Sequence, residues 1–162
     1  MIGNLFRFSG RASRKTFWLT LLLLIAISFA MSIVLGVFAG VGAEVLGGAE
    51  PSVTAALFGG GLVGIVMIVV YVAIFVISLA ISVRRLHDLD RSAWFLVGYY
   101  LITIVLSAVA YATMTSGPGD SILSAVAGII QFVLAIAFLI YLGFIRGTEG
   151  PNRFGPDPHK AN

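Results

Sequence analysis

The sequence predicts an all-α integral membrane protein of four transmembrane helices with a polar cytoplasmic cap. Three observations carry that prediction. Of 162 residues, 59% are hydrophobic and 10% charged, against roughly 45–50% and about 25% in an average soluble domain. Mean hydropathy is +1.06. Charged side chains divide the chain into neutral intervals of 28 residues (16–43), 33 (51–83), 28 (92–119) and 25 (121–145). About 20 apolar residues span a hydrocarbon core of roughly 30 Å as a helix, so each interval holds one span and none holds two with a turn. Period-two alternation is missing, which excludes a membrane β-barrel, and high hydrophobicity with low charge excludes disorder.

The first span is placed at 17–41, behind a basic N-terminal segment 1–16. A cleaved signal would have an apolar region of about 7–15 residues; this run is longer and is read as an uncleaved span. The second interval exceeds one membrane crossing, so the span is set at 62–83, with Gly59-Gly60-Gly61 as the break before it and residues 53–58 as an interfacial turn. The third and fourth spans fall at 94–114 and 122–145, and the tail is 146–162. The whole chain, 1–162, reads as a single membrane domain.

Positive charge sets the expected orientation. Arg7, Arg11, Arg14 and Lys15 precede the first span, Arg84, Arg85 and Arg91 lie between the second and third, and Arg146, Arg153 and Lys160 follow the fourth. The other two connections hold only Glu44, Glu50 and Asp120. The positive-inside rule places both termini in the cytoplasm. Trp18, Trp94 and Tyr141 then fall at cytoplasmic span ends, where interfacial aromatics belong.

No ionisable residue lies in the middle of a span, which argues against ion-coupled transport. Gln131 is the most polar side chain at depth and is expected to be an interhelical hydrogen bonder rather than a pore contact. Ser28 with Ser32, and Ser78 with Ser82, share helix faces. Gly36-x-x-x-Gly40 and Gly60-x-x-x-Gly64 offer close-approach faces, expected between helices of one bundle.

The informative residues lie outside the spans, in Phe6–Trp18, Arg84–Trp94 and Gly147–Pro158. Helix ends explain part of them. Arg84, Arg85 and His87 suit the C-terminal end of the second helix, and Asp88 and Asp90 the start of the third. Ser13, Asp90 or Ser92, and Asp120 are N-cap candidates. The abundance of arginine needs more: Arg11, Arg14, Arg84, Arg85, Arg91, Arg146 and Arg153 can meet Asp88, Asp90, Glu149 and Asp157 in a network latching the segments together. Surplus cations suit lipid phosphates. His87 with Asp88 and Asp90 invites a metal or acid–base reading, but the spacing is not diagnostic. With no cysteine and no nucleotide-binding, zinc-protease or hydrolase signature, no catalytic, metal or cofactor site is assigned.

The GR-x-SR-x-x-FW start, the RRLHD followed by SAW, and the GPNRFGPDP ending resemble domain-of-unknown-function family 805, small bacterial inner-membrane proteins with four predicted spans. Ala93 stands where that family more often has glycine. The resemblance implies location and architecture and supplies no activity. The expected function is an accessory or scaffold protein whose cap, drawn from Arg11, Arg14, Arg84, Arg85, His87, Asp88, Asp90, Arg91 and Arg153, meets anionic lipid head groups or a membrane-protein partner. The alternatives are a passive channel or small-solute transporter, including a homo-oligomeric one, and an enzyme acting on lipid phosphates with His87 as base. Nucleic acid is not expected as a partner, because the cations flank apolar runs.

Overall fold

The computed structural model describes residues 5–45, 61–114 and 121–158. They form four helices in chain order: α1 (Arg14–Val45), α2 (Leu62–Asp88), α3 (Trp94–Met114) and α4 (Ser121–Phe144). Each contains a stretch long and apolar enough to cross a membrane. The fold is that of an all-α membrane protein. The Gly59-Gly60 part of the expected break, residues 53–58 and Asp120 lie outside the described residues.

The surface explains why the chain needs a bilayer. Phe29, Ile65, Val69, Ile104, Ile122 and Phe132 are each more than half exposed. Large apolar side chains exposed in such number along every helix would be costly in water, whereas in hydrocarbon they cost nothing once the backbone is satisfied inside a helix.

The chain divides into two compact units, Met1–Phe6 with Leu19–Ala80, and Arg7–Trp18 with Ile81–Asn162. The first holds most of α1 and α2, with Thr20, Leu24 and Met67 buried. Ser32 and Ser78 return their hydroxyls to the carbonyls of Phe29 and Phe75 on their own helices. Among the described residues, nothing beyond the helix itself lies within 4 Å of a Cβ built on Gly36 or Gly64, and Gly60 lies outside the described residues.

In the second unit α3 and α4 pack antiparallel. Gln131 Nε2 donates to Thr103 O (2.9 Å) and Ser107 Oγ (2.6 Å), and Tyr99 stacks on Phe138 with centroids 4.3 Å apart. Gln131 is the interhelical bonder that its depth suggested. The helix ends of this unit are specified locally. Ser13 caps α1, its Oγ accepting from Thr16 N at 3.3 Å. Ser92 accepts from Trp94 N at 3.4 Å as α3 begins. Asp90 does not cap α3; it has φ 54° and closes α2. Arg91 N donates to Leu86 O and Asp90 N to His87 O, the paired bonds of a Schellman ending with Asp90 at its left-handed position.

Candidate functional site

Helix α2 runs five residues beyond its expected apolar limit, through Arg84-Arg85-Leu86-His87-Asp88. This places Asp88 at the last turn of α2 rather than before α3. A carboxylate there opposes the helix dipole, and two guanidiniums offset it. Arg85 and Asp88, three residues apart, share a helix face and form a buried ion pair. Arg11, from the N-terminal segment, donates through Nε to Asp88 Oδ1 at 2.9 Å. The side chains of Arg11 and Asp88 are each 1% exposed, and that of Arg85 is 0%. One carboxylate therefore lies between two cations with almost no access to water.

The remaining guanidinium hydrogens go to main-chain carbonyls. Arg85 donates to Leu142 O at 2.6 Å and to Ile145 O. Trp18 Nε1 donates to Gly143 O at 3.1 Å, and Arg14 to Phe144 O at 3.4 Å. A helix leaves its last carbonyls without internal partners; at the end of α4 they are met by side chains from α1 and α2. Arg11 extends the same pattern to the tail, donating to Gly150 O (2.6 Å) and Thr148 O. Thr148 in turn donates from N (2.9 Å) and Oγ1 (3.2 Å) to Asp88 O.

Two glycines make this geometry possible. A Cβ on Gly143 would lie 2.6 Å from the Trp18 indole, and one on Gly147 would collide with the Asp88 carboxylate. Neither clash is with a flexible side-chain end that can yield.

A second layer joins the tail to the end of α2. His87 stacks on Phe154 with centroids 3.9 Å apart and planes 6° from parallel, and Nδ1 donates to Gly10 O at 3.2 Å. Asn152 donates to His87 O at 2.8 Å, and its Oδ1 accepts from Phe154 N. Arg153 reaches Asp90 through its carboxylate at 3.2 Å and its carbonyl at 3.1 Å. Asp157, itself buried, accepts from Gly150 N at 3.0 Å.

Of the residues named from sequence, Arg11, Arg14, Arg85, His87, Asp88, Asp90 and Arg153 come together here. Arg84 contributes its carbonyl, which accepts from Ala12 N at 3.1 Å, while its buried Nε has no hydrogen-bond partner among the described residues. Arg91 stands apart, 5.6 Å above the Phe95 ring. Glu149 is 86% exposed and reaches Arg146 only at 3.9 Å, outside the buried network. The expected carboxylate-for-arginine matching is thus only part of the arrangement; carbonyls take most of the donors. Gly143, Gly147, Thr148, Gly150 and Asn152 were not singled out: the carbonyl acceptors of Gly143, Thr148 and Gly150 leave no mark on residue type, the room at Gly147 shows only in the fold, and the neutral side chains of Thr148 and Asn152 carry no charge to match with arginine.

At its centre the constellation leaves the carboxylate no free oxygen. Both Asp88 oxygens accept from guanidiniums, and His87 is stacked and bonded within the cap. Among the described residues no three His, Cys, Asp or Glu side chains gather as a metal site would require.

Four apolar helices and a buried arginine–carboxylate latch that joins three polar segments at helix ends define a multi-pass α-helical membrane protein with a built polar cap. The chain belongs to the family described as "Protein of unknown function (DUF805)", whose profile matches residues 5–156. It is similar to the inner membrane protein YhaH of Escherichia coli strain K12 and of Escherichia coli O157:H7, with 26% identity over 160 residues, covering 98% of this chain and 92% of each relative. No solved structure matches.

Proposed function

We propose that this protein is a non-catalytic accessory or scaffold component of the inner membrane, with both termini and the latched cap on the cytoplasmic side, presenting exposed cations to anionic lipid head groups. The inner-membrane location is suggested by the name of its relative, and the orientation by the one-sided placement of arginine and lysine. The observation that carries the reading is the division of labour among the arginines. Arg11 and Arg85 spend their donors on the chain's own Asp88 and helix-end carbonyls, which builds a fixed platform. Arg146 and Arg153, whose side chains remain 80% and 61% exposed beside their pairs with Glu149 and Asp90, are the cations this reading assigns to lipid phosphates, as juxtamembrane basic residues are used.

The alternatives draw less support. Gln131 is occupied between α3 and α4, which weighs against a pore lining, and His87 is held by stacking, which weighs against a general base. The test is the lipid composition retained by the purified protein from mixed phosphatidylglycerol and phosphatidylcholine. Wild type is expected to enrich phosphatidylglycerol, and a folded Arg146→Gln/Arg153→Gln variant to enrich it less. Retention that mirrors the bulk mixture in wild type would overturn the lipid-facing reading.

A further inference from the structure

Between α3 and α4 runs a groove of about 460 Å³ lined by Arg91, Phe95, Tyr99, Leu134, Ala137, Phe138 and Tyr141. Its walls follow helical spacing: Phe95 and Tyr99 are one turn apart on α3, and Leu134, Phe138 and Tyr141 repeat along one face of α4. From Leu134 to Tyr141 the groove extends about 10 Å along the helix axis. The Tyr99–Phe138 stack is part of its lining. At the cap end stands Arg91, whose main-chain N–H closes α2 and whose guanidinium lies over Phe95. Unlike Arg11, Arg85 and Arg153, it forms no ion pair among the described residues.

We infer that this groove is a binding site for one anionic phospholipid, with its phosphate on Arg91 and the head of an acyl chain laid along Phe95, Tyr99, Leu134 and Phe138. The argument is complementarity in both charge and depth. The walls are apolar within spans that face hydrocarbon, so a soluble anion would gain nothing from them. Among the described residues of the lining the cation is Arg91, at the polar end where a head-group phosphate sits in a bilayer, and an arginine fork matches phosphate oxygens geometrically. Tyr141, near the same end, adds a phenol of the kind found at the interfacial level. A zwitterionic lipid would meet the same walls but bring its own cation to Arg91. The site deepens the lipid-facing reading above, yet is separate from the Arg146 and Arg153 rim.

Native mass spectrometry of the full chain, released from detergent after loading with phosphatidylglycerol or phosphatidylcholine, tests it. Wild type is expected to keep one phosphatidylglycerol at activation that strips the others, and to keep phosphatidylcholine at least tenfold less. Arg91→Gln should lose that preference. Ala137→Leu, which grows an exposed side chain into the groove without entering the core, should lose the retained lipid altogether. Arg146→Gln/Arg153→Gln should keep the one tight lipid while shedding weakly held ones. Circular dichroism melts restrict the comparison to folded variants. Wild-type retention in both Arg91→Gln and Ala137→Leu overturns the groove site and leaves the rim reading standing. Absence of phosphatidylglycerol preference in every protein overturns both. A change of oligomer mass in Ala137→Leu with lipid retention intact assigns the groove to a second copy of the chain and overturns the proposal.

Discussion

Asp88 is the residue on which the cap turns, because two guanidiniums that are almost fully buried depend on one carboxylate. Burying an ion pair gives little net stability, but removing one partner leaves an uncompensated charge and costs about 3–5 kcal/mol. Asp88→Asn is therefore expected to lower the thermal unfolding temperature in detergent sharply, with Asp88→Ala at least as severe. Glu149→Gln, at a long and exposed pair, should melt as wild type. Arg85→Lys should not rescue the site, since one ammonium cannot reproduce a fork that reaches Asp88, Leu142 O and Ile145 O together. Gly147→Ala should rival Asp88→Asn, because the added methyl has nowhere to go but the carboxylate. Equal melting of Gly147→Ala and wild type would contradict the close approach on which the latch rests.

At the scale of elements, the cap is a solution to helix ends. The last turn of α4 would otherwise present bare carbonyls beside apolar surface; Trp18, Arg14 and Arg85 cover them. Trp18→Phe keeps an aromatic ring against Phe17 and Phe144 but removes the hydrogen bond to Gly143 O, a loss of about 1–2 kcal/mol. Hydrogen exchange at the end of α4 should report it locally while α3 stays protected. Asp90 makes a contrasting case. Asn tolerates its left-handed backbone and still offers a carbonyl to Arg153, so Asp90→Asn should be nearly silent, whereas Asp90→Ala should cost about 1–2 kcal/mol. Most of these elements were legible in the sequence. Charge-free intervals located α1, α3 and α4 to within a few residues, and Ser13 and Ser92 announced their caps. The end of α2 was less legible: Arg84, Arg85 and His87 were expected at its C-terminal end but Asp88 before α3, because a carboxylate opposes the dipole of a last turn; the pairing of Arg85 and Arg11 with Asp88 offsets that cost where the helix runs through it. The arginine partners were half legible. Carboxylates can be read from residue type, but the carbonyls of Leu142, Gly143, Phe144, Ile145, Thr148 and Gly150 become acceptors only through the fold. The two glycines at 143 and 147 were the available signal, four apart where the last helix meets the tail.

For the whole molecule, the membrane sets the terms. Large apolar side chains are exposed on each of the four helices, so the bilayer rather than a water-excluding core satisfies them, and the ion pairs of Arg11 and Arg85 with Asp88, Arg146 with Glu149 and Arg153 with Asp90 lie together in the cap. That concentration has a topological consequence. The N-terminal segment, the end of α2 and the tail are tied by Arg11, Asp88 and Thr148, so they must occupy the same side of the membrane. Ten positive residues lie in the segments carried to that side, and Glu44, Glu50 and Asp120 in the other two connections, so the shared side is expected to be the cytoplasm. Reporter fusions at Lys160 and at Gly48 should then give opposite signals: one active only in the cytoplasm at Lys160, one active only outside it at Gly48. Moving positive charge should test the cause as well as the outcome. Lysines introduced around Gly48 are expected to lower the fraction of correctly oriented chains, while the latch variant Asp88→Asn should reduce yield without inverting them, because orientation is decided by charge near the span ends and the latch forms only after the spans are placed. A fusion at Lys160 that reports the outer side would reverse the orientation and move the cap and its lipid contacts to the opposite leaflet.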